Sequence, residues 1–508
     1  MTLTSRSTFN LRPYQVEAVE AINEHWKDWK RELLVLPTGC GKTVVFNTVA
    51  NQRPPKTLIL AHRDELIEQA RDKYCGMFGE MPGKIKASEN DIRPVTVGSV
   101  QTMCRRDYSG MFGTVIVDEA HHAISPSYQA VLDQFPDAKV LGVTATPDRG
   151  DKRSLARYFD GIAYEYKLRT AIEEGYLVPI TAKTVPLEID MSEVKVSLGD
   201  FEVGSIAESL EPYLPKIADA IRQEASDRKT VVFCPLISIA QELAGMIPGA
   251  REVNGGSDDR KETLEWFDQA GAGAVLCNAM LLTEGWDCPS CDCVVVLRPT
   301  KIRSLYAQMI GRGTRLSPGK ENLLILDFLW LTQKHNLCKP ASLASDNEAD
   351  IETVTKKSEG EQIDLFGAVS DAEEARRNAL AEQLRRQTRK KSRLINPLDL
   401  FSILDDIGLA DYEPTFKWEE DDATQKQIDM LQKFGIDAEG ITKGYACAIA
   451  DRLIKRSMKH LATVKQVRTL QSHGYDAAEW TFEEASRKLS ALAAVGWKRW
   501  KLHDSGWT

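Results

Sequence analysis

Nowhere in these 508 residues is there an uninterrupted apolar run of about 18 residues, so no membrane-spanning helix is expected. Nor does Met1 to Arg12 carry a charged segment followed by an apolar one, which argues against a secretory signal and makes the cytoplasm the expected compartment. Cysteine is sparse. Ten are scattered along the chain, and Cys234, Cys277 and Cys293 fall inside apolar, strand-like runs, the pattern of reduced buried thiols rather than a disulfide framework. A zinc centre is not expected either, because the one C-x-x-C pair, Cys288 and Cys291, has no second knuckle to join it. Positive charge is in deficit, with 65 Lys and Arg against 74 Asp and Glu and a net charge of −9. That balance argues against indiscriminate binding to a polyanion, so any nucleic-acid surface has to be local.

What is present is a globular, multidomain composition. At 43% hydrophobic residues the chain can bury several cores, and its length suits roughly three or four domains of ~150 residues each. The stretch Leu36-Pro37-Thr38-Gly39-Cys40-Gly41-Lys42-Thr43 follows an apolar run and leads into a helical segment. It reads as a phosphate-binding loop. Gly39 and Gly41 let backbone N–H groups curl toward phosphate oxygens, Lys42 can reach the β- and γ-phosphates of ATP, and the Thr43 hydroxyl can ligate Mg²⁺. The glycine that usually opens such a loop is replaced by Leu36, and an ordinary strand-turn-helix corner is the alternative. Upstream, Arg12-Pro13-Tyr14-Gln15 holds a Gln in a rigid turn. Its amide could read an adenine edge while Arg12 stacks on the base, and a helix start with a surface Gln is equally compatible.

Beyond the loop, apolar runs at 57–61, 95–100, 114–117 and 139–143 alternate with amphipathic segments, the signature of a parallel sheet covered by helices on both faces. Ligands in such sheets sit beyond the carboxyl ends of the strands. There the third run ends in Asp118-Glu119-Ala120-His121. Asp118 can hold Mg²⁺ through its water shell, while Glu119, pointing to the other side, can take a proton from an attacking water. The fourth run ends in Thr144-Ala145-Thr146-Pro147, whose hydroxyls could hydrogen-bond His121 and pass the nucleotide state onward.

Together these stretches resemble the adenine-recognition motif and motifs I, II and III of superfamily 2 helicases. The Asp-Glu-Ala-His spelling and the Leu-Arg-Pro-Tyr-Gln opening are most similar to the XPB-like and bacterial RadD-type DNA helicases. Two more stretches, Leu60 to Leu66 and Val97 to Thr102, resemble that family's strand-contacting motifs, which would place His62, Arg63, Gly98, Ser99 and Gln101 against DNA. After a charged, helix-poor connection from about Ala163, the alternation resumes at 230–234, 273–277, 293–297 and 322–328. This second unit lacks a phosphate loop but holds Leu282 to Asp287 and Gln308 to Arg315, which resemble motifs V and VI. The resemblance implies that Gly285 and Asp287 face the nucleotide, that Thr283 faces the strand and that Gln308, Arg312 and Arg315 act in catalysis. Arg312 and Arg315, three apart on one helix, would share a face and serve as arginine fingers, each worth ~10³ or more in rate. A solvated basic helix end is the alternative.

Residues 339–395 read as a charged, partly disordered linker. Within it, Gln362-Ile363-Asp364-Leu365-Phe366 resembles the short peptide by which bacterial enzymes dock on the sliding clamp, an apolar anchor being the other reading. The tail repeats itself at an offset of 39, with Lys426 on Lys465, Gln427 on Gln466, Leu431 on Leu470 and Gly435 on Gly474. From Thr424 to Thr508 it carries 14 Lys and Arg against 9 Asp and Glu, which favours a nucleic-acid accessory domain, with protein docking close behind. Trp497-Lys498-Arg499-Trp500-Lys501 could stack on bases, or its tryptophans could pack a terminal helix. The expected architecture is therefore α/β. Two tandem RecA-like parallel-sheet domains span 1–165 and 166–338, followed by the linker at 339–395 and a small duplicated helical domain at 396–508. The expected activity is ATP- and Mg²⁺-dependent movement along or unwinding of DNA. An RNA helicase, a remodelling translocase without processive unwinding and a nucleotide-switched scaffold are the alternatives.

Overall fold

Short strands apolar on both faces need cover on both sides, and two sheets of this kind form in the first compact unit, Met1–Ala372. The computed structural model describes residues 10–53, 56–145, 155–190, 194–197, 200–257, 259–279, 286, 288–331, 337–387, 395, 400–404, 406, 409, 412, 414–438 and 440–494. The first sheet takes β1 (Arg31–Val35), β2 (Thr57–Ala61), β3 (Gly83–Lys86), β4 (Glu89–Asp91), β5 (Val95–Ser99), β6 (Thr114–Asp118), β7 (Lys139–Thr144) and β8 (Gly161–Glu165). Their spatial order is β4-β3-β5-β2-β6-β7-β1-β8, parallel throughout except where β4 turns back on β3. Because side chains alternate along a strand, Leu33, Leu58, Leu60, Val115 and Val117 fill one core while Leu34, Ile59, Val97 and Ile116 fill the other.

The second sheet starts earlier than the sequence pattern suggests. The stretch read as a helix-poor connection contains β9 (Ile180–Asp190) and a small hairpin of β10 (Val196–Ser197) and β11 (Asp200–Phe201). Then come β12 (Thr230–Cys234), β13 (Arg251–Val253), β14 (Val275–Ala279), β15 (Cys293–Val296), β16 (Leu323–Leu331) and β17 (Ile363–Asp364). The order is β13-β14-β12-β15-β16-β9-β17, parallel except for β17. The polar residues interleaved in β9 (Thr181, Lys183, Thr184) hid its strand character, which its apolar Ile180, Ala182 and Ile189 supply.

The linker expectation is corrected here. Residues 340–372 pack on the second sheet rather than loop freely. Asn347 caps the helix Glu348–Lys357 by accepting from the N–H groups of Ala349 and Asp350. β17 pairs antiparallel with β9, Gln362 Nε2 donates to Thr181 Oγ1 at 2.9 Å, and Leu365 is fully buried at the start of the next helix. Val354, Leu365, Ala368, Val369 and Ala372 join the core around Phe233 and Tyr306. Charged composition concealed a helical apolar stripe. Gln362, Leu365 and Phe366 are thus structural, and the clamp-docking reading is dropped because its main anchor is inaccessible.

The second compact unit, Glu373–Thr508, makes the duplication visible. Gln425–Lys433 and Val464–Ser472 are each opened by a Thr that exchanges hydrogen bonds with a Gln three residues on, Thr424 with Gln427 and Thr463 with Gln466. Gly435 and Gly474 follow with φ of 84° and 80°, and the companion helices are Lys443–Met458 and Phe482–Ala494. The bridges Asp422 to Thr442 and Leu461 to Thr481 repeat at the same offset. Trp497 to Lys501 lie outside the described residues.

Candidate functional site

Register puts the motif residues on one edge of the first sheet. Val35 is level with Thr144, Ala61 with Ser99, and Asp118 with Val143, so the segments that leave these strands converge beyond their carboxyl ends. Leu36 continues β1 by donating its N–H to Thr144 O at 3.0 Å. The chain then curls through Gly39 (φ 92°) and Gly41 (φ 76°) into the helix Lys42–Asn51. Gly41 needs its left-handed backbone and also its lack of a side chain, since a Cβ there would sit 2.6 Å from Gln15 Nε2.

Gln15 clamps this loop. Its Oε1 accepts from Arg12 N at 3.0 Å and its Nε2 donates to Cys40 O at 3.2 Å, an acceptor shared with the Tyr14 hydroxyl at 2.9 Å. Pro37, Thr38 and Cys40 complete the loop, Cys40 as a buried packing residue whose thiol burial pushes up to about 12. Two residues that no motif marked lie beside it. Tyr166 stacks on Tyr14 at 4.4 Å, and Tyr176 meets Tyr14 edge-on while lying under the Arg12 guanidinium. Both follow β8, and only the fold could bring them here.

Across the loop, Lys42 Nζ lies 3.0 Å from Glu119 Oε1, with both side chains largely buried. Glu119 itself adopts φ 52°, a left-handed conformation that a non-glycine residue holds only under constraint. Burial acts to raise its carboxyl pKa, but Lys42, then His121 and Arg312, outweigh burial and hold it below the ordinary glutamate value. Asp118 Oδ1 accepts from Glu119 N at 3.0 Å. Thr43 stands in the first turn of the loop's helix, and Asp118, two residues after Ile116, is on the strand face that packs against that helix.

The second sheet's helix Arg303–Gly311 reaches this pair. Gln308 Nε2 donates to the other oxygen of Glu119 at 3.2 Å, and Gly311 passes so close to Thr38 that a Cβ would sit 2.4 Å from Thr38 Cβ. The helix ends at Gly311, which corrects the expectation of Arg312 and Arg315 on one helical face. Arg312 closes the helix and donates from Nη1 to Trp286 O at 2.8 Å. Arg315 lies beyond the helix with its stem against the loop, 3.2 Å from where a Gly39 Cβ would be.

Strand-contact candidates divide. Gln101 Nε2 donates to His62 O at 2.9 Å and Ser99 Oγ donates to Gln101 Oε1 at 2.8 Å, so these three residues form one local network, and Arg63 is the residue that opens the helix Asp64–Phe78. Gly98, however, is buried inside β5 between Leu60 and Ile85, where a Cβ would meet Leu58 at 3.0 Å and Met103 at 3.2 Å, and it offers no surface for a strand. His122, unmarked by any motif, lies between the two groups of candidates: its ring is 4.1 Å from that of His121 and 4.3 Å from that of His62. Thr144 is buried at the end of β7. Thr146, Thr283, Gly285 and Asp287 lie outside the described residues.

One sheet thus carries a phosphate loop and paired carboxylates, and the other an arginine-bearing segment that reaches them. Residues 8–149 match the family model described as Type III restriction enzyme, res subunit, and residues 213–317 match the helicase conserved C-terminal domain. The chain is 33% identical over 387 residues to the protein named "Putative ATP-dependent helicase IRC3" of Saccharomyces cerevisiae, covering 68% of this chain and 55% of the relative. It is 26% identical to "DNA 3'-5' translocase XPB2" of Sulfurisphaera tokodaii over 63% of this chain and 82% of that one. The chain thus spans little more than half the length of the yeast relative. Among solved structures, a fragment described as an HsdR subunit of a type I restriction enzyme from Vibrio vulnificus matches with a TM-score of 0.51 at 26% identity, covering 64% of this chain and 65% of that one. Residues 8–149 and 213–317 thus carry a restriction-enzyme-type domain and a helicase C-terminal domain, and the chain is similar to superfamily 2 helicases of the XPB-like group.

Proposed function

We propose that the protein hydrolyses ATP in the cleft between its two sheets and uses the cycle to move along or unwind DNA. The observation that carries this reading is the meeting of Lys42 and Glu119 with Gln308, from the opposite domain, at the phosphate loop. The residues fit a magnesium-bound triphosphate. Gly39 and Gly41 shape a cradle that a Cβ would fill, the Thr38 hydroxyl is buried there without a protein partner, and Thr43 and Asp118 supply hard oxygen donors. Mg²⁺ held by those two residues would neutralise charge on the phosphate oxygens.

Lys42 has two acceptors to choose between. While it pairs with Glu119 the carboxylate is engaged, and transfer of Lys42 to phosphate frees Glu119 and removes the charge that holds its proton affinity down, so that it can accept a proton from the attacking water. Gln308 keeps hold of Glu119 Oε2 and makes that readiness depend on domain closure. Arg315, lodged against the loop, and Arg312 supply positive charge to the leaving phosphate. The contact of His121, His122 and His62 supports transmission from this carboxylate to a strand on the sheet edge. The basic, duplicated tail supports an accessory role on nucleic acid, and ten free cysteines, six of them buried, support a reducing compartment. ATP turnover measured in parallel with single-stranded, duplex, forked and RNA ligands tests the reading. Stimulation by DNA is expected, whereas slow turnover indifferent to every strand would favour a nucleotide-switched scaffold.

A further inference from the structure

Lys320 belongs to none of the motifs. Ser317-Pro318-Gly319-Lys320 closes as a β-turn, with Lys320 N on Ser317 O at 3.1 Å and Gly319 at φ 77°, and it directs the lysine inward. There its Nζ meets three backbone carbonyls, those of Pro289 at 2.9 Å, Cys291 at 2.5 Å and Gly313 at 2.6 Å. An ammonium has three N–H donors, and all are used. Pro289 and Cys291 form the turn that follows the Leu282 to Asp287 stretch, whereas Gly313 sits between the two catalytic arginine candidates. The turn is itself braced from behind, because buried Lys229 donates to Ser290 Oγ at 2.8 Å and to Asp268 O at 2.9 Å. Arg312 adds a second tie from the arginine segment through Trp286 O.

We propose that Lys320 is a positioning residue that fastens segment 312–315 to the braced turn at 288–292, so that Arg312 and Arg315 meet the phosphate loop as one rigid piece. This rests on reading the cleft as an ATPase site. Cys288, Cys291 and Asp292 from the turn and Arg315 from its own segment face the ammonium. Burial lowers Lys320 to about 8, while burial raises the thiols of Cys288 and Cys291, which stay neutral across that range. Deprotonation leaves a neutral amine with two N–H donors for three carbonyls, so the fastening loosens as pH rises through about 8.

The test compares the full-length wild type with Lys320→Met and Lys320→Arg in strand-stimulated ATP turnover from neutral to alkaline pH, together with hydrogen exchange at Gly313 to Arg315. At neutral pH the Met variant should lose about tenfold in kcat with KM for ATP and strand affinity nearly unchanged, because the groups that bind remain while their alignment loosens, and Tm should fall modestly as three carbonyls lose their donor. Wild-type kcat should fall as pH passes about 8, and the Arg variant, which keeps its charge, should hold level. Exchange at 313–315 should quicken in the Met variant alone. Wild-type turnover in Lys320→Met, a shared pH profile for wild type and Lys320→Arg, or loss of strand affinity in step with kcat would each overturn the proposal. If the wild type shows no strand-stimulated turnover, the ATPase reading fails by itself. Exchange then decides the fastening: quickened exchange in the Met variant supports it and unchanged exchange overturns it.

Discussion

The two sheets of the first unit are the same scaffold with opposite chemistry at the strand ends. In chain order and in space, β1, β2, β3, β5, β6, β7 and β8 correspond to β9, β12, β13, β14, β15, β16 and β17. Yet β1 runs into the phosphate loop whereas β9 runs on toward a hairpin, and β6 ends in Asp118-Glu119 whereas β15 is followed by Leu297-Arg298-Pro299. One sheet presents a cradle and carboxylates. The other presents guanidiniums and an amide, the complement needed to close around a charged ligand. Fold alone therefore assigns neither role; the segments that follow the strands do.

That division can be broken most severely at the first sheet's carboxylate. Glu119→Gln should lower turnover by about a hundredfold or more while ATP still binds, because an amide accepts a hydrogen bond but not the proton, and Lys42→Ala should impair binding as well. Single-turnover hydrolysis beside equilibrium nucleotide binding separates the two, and near-normal turnover in the Gln variant would remove Glu119 from the base role. Next comes closure itself. Gly311→Ala places a methyl group 2.4 Å from Thr38 Cβ and should force the arginine segment off the loop, costing roughly tenfold or more in kcat with each domain still folded. An alanine variant with wild-type kcat would mean that the cleft works more open than it stands here.

Stability sharpens the comparison further. The second sheet borrows β17 and the helix after it, so Leu365→Ala should destabilise it by ~2–5 kcal/mol, read as loss of the second domain's unfolding transition without change in the first. On the first sheet the weak point is Glu32, fully buried with neither carboxyl oxygen hydrogen-bonded. Burial, then the nearby Asp160 charge, raises it to about 7 against the effect of Lys139. A raised carboxyl favours the protonated form in the fold, so stability falls as pH climbs from the unfolded value near 4.5 through about 7, and the full penalty stands above that. Glu32→Gln should therefore raise stability at pH 8 by at most ~3 kcal/mol and change little near pH 4, a difference that thermal melts at both pH values would show.

The phosphate loop, the carboxylate pair and the arginine segment were legible in the chain because their chemistry is local: left-handed glycines, a lysine at a helix start and acids at a strand end are each specified within a few residues. Apolar runs likewise marked most strands of both sheets, and residue identities at a fixed offset marked the 39-residue duplication. Three things were not local. β9 was disguised by the polar residues on its partly covered face, Leu365 sat in a charged segment whose apolar stripe has meaning only against the second core, and Gly98 matched a strand-contact motif from inside a sheet. Gln308 and Glu119 are 189 positions apart, and His62, His121 and His122 come together only because β2 and β6 are neighbours. The amino-acid sequence by itself determined which chemical groups the molecule carries and where the apolar strands end. Only the tertiary structure decided which of them meet, because spatial strand order, the burial of one apolar face and the reach of Lys320 to Pro289 and Cys291 depend on residues well separated along the chain.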